Sequence, residues 1–143
     1  MQTFHHILKS HYENRPDDVA ITLQHAGEED LPITVRELLT SAVSAQRKLE
    51  AEGIQPGEVV LLIFQHGRDL IRTYFGTILH GAIPSIMPYL TEKLQPEKYR
   101  KDLASLIEVT QPAAIFTYAE FEMEVRAALK DEDSVRTVMV AEQ

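Results

Sequence analysis

The groups in this 143-residue chain that could do chemistry are six histidines, 22 acidic residues and scattered serines. Their spacing decides what they can do together. His5 and His6 are neighbours, so on a helix they point about 100° apart and cannot easily grip one metal. His5 and His11 miss the i, i+4 interval of paired helical ligands, and His66 and His80 sit a helix length apart. The acidic clusters Asp17-Asp18, Glu28-Glu29-Asp30 and Asp131-Glu132-Asp133 fall in predicted turns. They lack the alternating ligands, glycine and distal Glu of a calcium loop. Serines 10, 41, 44, 85, 105 and 134 have none of the surroundings of an activated nucleophile. The absence of cysteine removes disulfides, thiol catalysis and Cys-ligated zinc together. No GxxxxGK loop and no GxGxxG turn is present to cradle a phosphate. The expectation is therefore no catalytic, cofactor-binding or metal residue within these 143 positions.

Composition narrows the classes further. With 44% hydrophobic and 25% charged residues the chain has the balance of an ordinary globular protein. A net charge of −8, with lysine and arginine interleaved among acids, would repel a phosphate backbone, so nucleic acid is not an expected partner. The N-terminal stretch has no apolar core of signal-peptide type. The longest uninterrupted aliphatic and aromatic stretch, Val59 to Phe64, is far short of the roughly 20 residues of a membrane helix. No membrane span and a cytoplasmic location are expected.

The elements that must position any site follow from periodicity. Phe4, Ile7, Leu8, His11 and Tyr12 make a helical stripe that Thr3 can cap and Arg15-Pro16 ends. Val19 to Leu23 and Leu31 to Ile33 read as a hairpin, with Pro32 favouring an edge. Thr34 and Glu37 form a capping box for a helix carrying Val35, Leu38, Leu39, Ala42, Val43, Gln46 and Leu49, closed by Gly53. Val59 to Phe64, apolar on both alternating sets, predicts a strand covered on both faces. A helix with Leu70, Ile71, Tyr74, Phe75, Ile78 and Leu79 inward follows, closed by Gly81, then a strand from Ile83 to Met87. Gly76, inside that helix, implies close approach of a neighbouring element. Pro96 opens the next helix, with Tyr99, Leu103, Leu106 and Ile107 as its stripe and Gln111-Pro112 as its stop. Ala113 to Phe116 is a buried strand, and Thr117 with Glu120 forms a second capping box for a helix burying Phe121, Val125, Ala128 and Leu129. Val135 to Val140 is the last strand.

This alternation predicts an α/β fold: a mostly parallel sheet with helices on both faces, right-handed crossovers and an N-terminal β-hairpin. A helix would normally cover the final strand, so Gln143 is expected to mark a cut.

Five landmarks occur in order: Arg15-Pro16-Asp17, Ile33-Thr34-Val35-Arg36-Glu37-Leu38, Gly53 to Val60 (GIQPGEVV), His80-Gly81-Ala82-Ile83-Pro84, and Gln111 to Thr117 (QPAAIFT). Together they resemble the N-terminal region of the adenylate-forming (AMP-binding) superfamily: acyl-CoA synthetases, fatty acyl-AMP ligases, luciferases and peptide synthetase adenylation domains. Each landmark alone is a cap or turn that any α/β protein could use; the specificity lies in their order and intervals. The longer connector Leu90 to Pro96 resembles fatty acyl-AMP ligases and acyl-CoA synthetases more than amino-acid-activating domains.

The resemblance implies that residues 1–143 are the N-terminal portion of the large domain of an AMP-dependent ligase. Such an enzyme uses ATP and Mg to join a carboxylic or fatty acid to AMP with release of pyrophosphate. The acyl group then passes to the thiol of coenzyme A or an acyl carrier protein. The family's phosphate loop, magnesium Glu, ribose Asp and catalytic lysine all lie beyond the matching region, so no functional residue carries over. The piece alone is expected to be inactive and to self-associate through apolar surface that the remainder of the parent enzyme would cover. The alternative reading is a stand-alone, non-catalytic interaction or ligand-binding α/β module.

Overall fold

The computed structural model describes residues 3–141, so the expectation about Gln143 lies outside them. Its centre is a parallel four-stranded sheet of β3 (Val59–Ile63), β4 (Ile83–Ile86), β5 (Ala114–Thr117) and β6 (Thr137–Val140), in the order β4-β3-β5-β6. β1 (Val19–Leu23) and β2 (Leu31–Thr34) form a separate antiparallel hairpin. The helices are α1 (Phe4–Asn14), α2 (Val35–Ala51), α3 (Arg68–His80), α4 (Pro96–Thr110) and α5 (Glu122–Ala128).

Residues 60–63 of β3 are fully buried, and burying such aliphatic side chains is worth about 1.5–3 kcal/mol each. Val60, Leu62 and Phe64 face Ala45 and Leu49 of α2, with Ala114, Phe116 and Met139 from neighbouring strands. Leu61 and Ile63 face Tyr99, Leu103 and Ile107 of α4 and Val125 of α5. The layering obeys a single crossover hand. From β3 the chain moves to one neighbour and from β4 back across to the other, so right-handed crossovers place α3 and α4 on opposite faces.

Two helices end in the same way. At the end of α2 the Gly53 N–H reaches the Glu50 carbonyl and the Ile54 N–H that of Leu49; at the end of α3, Gly81 and Ala82 bond Ile78 and Thr77. Both are Schellman motifs, and Gly53 (φ 74°) and Gly81 (φ 83°) supply the left-handed backbone. The ends are joined, because the Gly57 N–H donates to the Gly81 carbonyl at 2.8 Å. Below this joint Arg136 grips Glu58 with two guanidinium bonds of 2.7 Å, tying the start of β6 to that of β3.

Three sequence expectations need correction. The deepest positions of α3 are Thr73, Gly76 and Thr77 rather than its large apolar residues, which are half-buried. A Cβ on Gly76 would lie 2.7 Å from both the Ala42 carbonyl and the Ala45 Cβ, so α2 and α3 touch there backbone to backbone. The two threonines reach that depth because each hydroxyl donates to a carbonyl one turn back, at 2.7 Å. The Thr117–Glu120 capping box is not made. Thr117 is the last residue of β5 and its hydroxyl donates to the Ile63 carbonyl at 2.8 Å; the chain then takes a 3-10 turn before α5. At Thr34 the cap forms to the Glu37 N–H, but the Glu37 carboxylate turns to Arg68 at 3.6 Å. The stripe of α1 buries nothing fully; Phe4 stacks on Phe75 with 43% of its surface exposed.

Two outcomes follow from these joints. Gly76→Ala gains up to about 1 kcal/mol of helix propensity, but overpacking should outweigh it, for a net loss of about 1–2 kcal/mol in urea denaturation. A stabilised variant would mean that α2 and α3 do not touch at this point. Hydrogen bonds from Arg136, then from the Gln55 N–H, hold the Glu58 carboxyl at about 2, below its ordinary 4.5. Its contribution is therefore complete above that ordinary value and is lost as pH falls toward 2. Glu58→Gln should flatten this part of the stability–pH curve, and curves that coincide in shape would show that the pair contributes nothing.

Candidate functional site

In an open parallel sheet, ligands favour the crevice beyond the carboxyl ends of the strands, where the connections diverge to opposite faces. Here that point lies between β3, whose connection turns to α3, and β5, whose connection turns to α5. A crevice of about 290 Å³ opens there, between the segments 64–69 and 118–120 and the end of β6 at Ala141.

Its floor is Phe64, buried and 6.5 Å from the Tyr118 ring. Tyr118 stacks on Phe121 at 5.6 Å, so one side chain joins the packing on both faces of the sheet. Gln65 and His66 follow β3 on the rim, and the rings of His66 and Tyr89 lie nearly perpendicular with centres 6.0 Å apart. Glu120 completes the opposite lip. Burial pushes the Tyr118 hydroxyl above its ordinary range, and a hydrogen bond with Gln65 offsets this only in part. It therefore stays protonated at neutral pH and able to donate. Burial raises Tyr99 too, beneath the same rim.

Two of the charges beside the crevice are tied up in ion pairs, Arg68 with Glu37 at 3.6 Å and Asp69 with Arg72 at 2.8 Å. What remains on the rim is an amide, an imidazole, a phenol and a carboxylate. These can hydrogen-bond and orient a polar group. They include no hydroxyl or amine activated by a neighbouring base.

The histidines weighed from the sequence are dispersed rather than gathered. His5 Nε2 meets the Leu79 carbonyl at 2.9 Å, His6 caps Thr3, His11 meets Arg15, and His80 meets the Ile54 carbonyl. They join helices to each other or close their own turns; only His66 reaches the rim. Among the described residues no three His, Asp or Glu side chains gather where a metal could sit. Ser41 and Ser134 donate to backbone carbonyls. From sequence Glu120 has only a capping role, and nothing marks Gln65 or Tyr118 as rim residues. Recognising them required strand order, because only strand order shows that the ends of β3 and β5 adjoin.

The five landmarks also meet in space, in two groups. Val35 and Arg36, opening α2, donate their N–H groups to Asp18 and Pro16 of the Arg-Pro-Asp-Asp turn, at 2.9 and 2.8 Å. The Pro-Gly-Glu turn meets the α3 exit, with the Ile83 N–H on the Glu58 carbonyl, and the Ala113 N–H meets the Val59 carbonyl.

Comparison with known proteins agrees with this arrangement. No family model matches the chain. It is 27% identical over 115 residues, 80% of its length, to a linear gramicidin synthase of Brevibacillus parabrevis. It spans no more than 2% of the curated relatives it matches. A fatty acyl-adenylate ligase from L. pneumophila, solved with acyl adenylate and pyrophosphate, superposes with a TM-score of 0.74 at 19% identity, over 94% of this chain and 22% of that one. The adenylation domain of a keto acid-selecting NRPS module gives 0.73 at 18% identity, over 96% and 25%. Among the described residues no helix is long and apolar enough to cross a membrane. The chain has the fold of the N-terminal region of adenylate-forming enzymes, with fatty acyl-adenylate ligases and NRPS adenylation domains as its structural neighbours.

Proposed function

We propose that residues 1–143 serve as the N-terminal scaffold of an ATP-dependent acyl-activating ligase, and that they neither bind nor turn over ATP on their own. The reaction is the joining of a carboxylic acid, a fatty acid by preference, to AMP, followed by transfer to the thiol of coenzyme A or a carrier protein. The observation that carries this reading is the meeting of the landmarks: each is a joint of the scaffold, and charged side chains among them serve it, Arg36 paired with Asp17 and Glu58 with Arg136. Stabilising the charge that develops as pyrophosphate leaves needs convergent backbone donors and a cation. On this reading those groups, with Mg, come from the remainder of the parent enzyme. The preference for fatty acids rests on the connector after β4.

The same reading gives a role to the apolar residues left in contact with solvent. Ile83 and Ile86 of the edge strand β4 are 51% and 52% exposed, and Met123 of α5 is 83% exposed. The remainder of the enzyme would cover part of this surface, and without it the chain would pair with itself.

Calorimetry of the 143-residue chain with Mg·ATP should show no binding, and a micromolar dissociation constant would overturn the scaffold reading. A coding region that continues past this chain should yield a protein whose ATP–pyrophosphate exchange depends on added fatty acid. Exchange with amino acids alone would move it to the amino-acid-activating branch, and no exchange with any acid would favour the stand-alone module. In sedimentation velocity the 143-residue chain should associate as concentration rises; a strictly monomeric boundary would count against the apolar face as a covered surface.

A further inference from the structure

The connector between β4 and α4, residues 88–95, is held firmly at both ends and loosely between them. At its start Met87 is buried and donates its N–H to the Leu62 carbonyl at 3.0 Å. The next carbonyl, of Pro88, accepts the hydroxyl of Tyr99 at 2.6 Å, and Tyr99 is itself buried in the first turn of α4. At the far end the Gln95 carbonyl is taken up by the Tyr99 N–H as α4 begins. Tyr99 thus anchors both ends of the segment. Between the anchors no residue from 88 to 95 is fully buried, and Glu92 to Gln95 are exposed. A turn from Thr91 to Leu94 closes the segment on itself. Few buried contacts between fixed ends describe a segment that opens without the rest of the domain.

What this segment touches gives the opening a meaning. Tyr89 and Leu90 lie against the core on the α4 side, and the Tyr89 ring meets that of His66 at the rim of the crevice. We propose that residues 88–95 form a hinged strap, pinned by Tyr99, that closes on the crevice at the ends of β3 and β5 through the Tyr89–His66 contact. With the strap closed, Tyr89 holds His66 at the mouth of the crevice. With it open, the imidazole is released and the mouth widens, so whatever occupies the rim and the position of the strap must influence each other.

Trypsin cleavage after Lys93, which lies exposed in the strap, reads the open population when opening is fast relative to cutting. In the whole chain, Tyr89→Ala should speed this cleavage about ten-fold while leaving the urea midpoint nearly unchanged. The discriminating variant is His66→Ala. His66 is exposed and outside the strap, so its loss should accelerate cleavage at Lys93 only if it latches the closed state. In parallel, the His66 ring-proton resonances should shift in Tyr89→Leu, which keeps an apolar side chain but removes the aromatic ring. Lys93 cleavage at the wild-type rate in His66→Ala, or His66 resonances unmoved by Tyr89→Leu, would overturn the strap.

Discussion

The architecture depends on the complete removal of β3 from water. Val60, Leu61, Leu62 and Ile63 have no exposed surface, and alternate residues point to opposite faces, so one helical layer cannot cover the strand. Two layers are needed, and with crossovers of one hand the helices reach both faces only if the connections run in both directions across the sheet. The order β4-β3-β5-β6 meets that requirement: α2 and α3 cover one face, α4 and α5 the other. The crevice follows from it as well. Because the chain leaves β3 and β5 toward opposite faces, the space above their ends is not filled by either connection. The candidate site is a consequence of how the central strand is buried.

The joints that hold these layers explain why glycine, proline and threonine recur among the landmark residues. Gly53 and Gly81 end helices in left-handed conformations, and the Gly57 N–H ties one end to the other. Gly76 lets α2 and α3 approach to backbone contact, which any Cβ there would prevent. Arg15-Pro16-Asp17-Asp18 supplies carbonyls to the uncapped N–H groups of α2. Such positions tolerate little change because each fixes a distance between elements. A resemblance built on them reports shared construction, and this is why it reaches the fold directly and the reaction only by proposal.

How much was legible in the sequence follows the range of the forces involved. Local signals served well: Pro96 at the start of α4, Thr34 on the Glu37 N–H and the double-sided apolar run of β3 depend on residues a few positions apart. Errors arose where a partner distant in the chain decided the outcome. Thr117 has the spacing of a cap, but the Ile63 carbonyl of the adjacent strand takes its hydroxyl and keeps it in β5. Glu37 has the spacing of a reciprocal cap, but Arg68 draws its carboxylate away. Leu70 and Tyr74 are more apolar than Thr73 and Thr77, yet the threonines lie deeper because they flank the glycine that α2 touches. The crevice was the least legible feature. Gln65, His66, Tyr118 and Glu120 follow two strands separated by about 50 residues of chain, and only strand order makes them neighbours.

The two ends of the sheet are built to different purposes. At the amino ends, the Gly57–Gly81 bond and the bidentate Arg136–Glu58 pair lock the strand starts to one another. At the carboxyl ends there is a crevice, a rim of hydrogen-bonding side chains and a connector with little buried surface. An element that must move is confined to the least stable part of a structure, and it can move without loss of the fold only if rigidity is concentrated elsewhere. Here the rigid end lies a strand length from the open one, and Tyr118, packed into both cores, stands between the rim and the interior. Rearrangement at the rim can therefore be absorbed there, while β3 and its joints keep the layers in place.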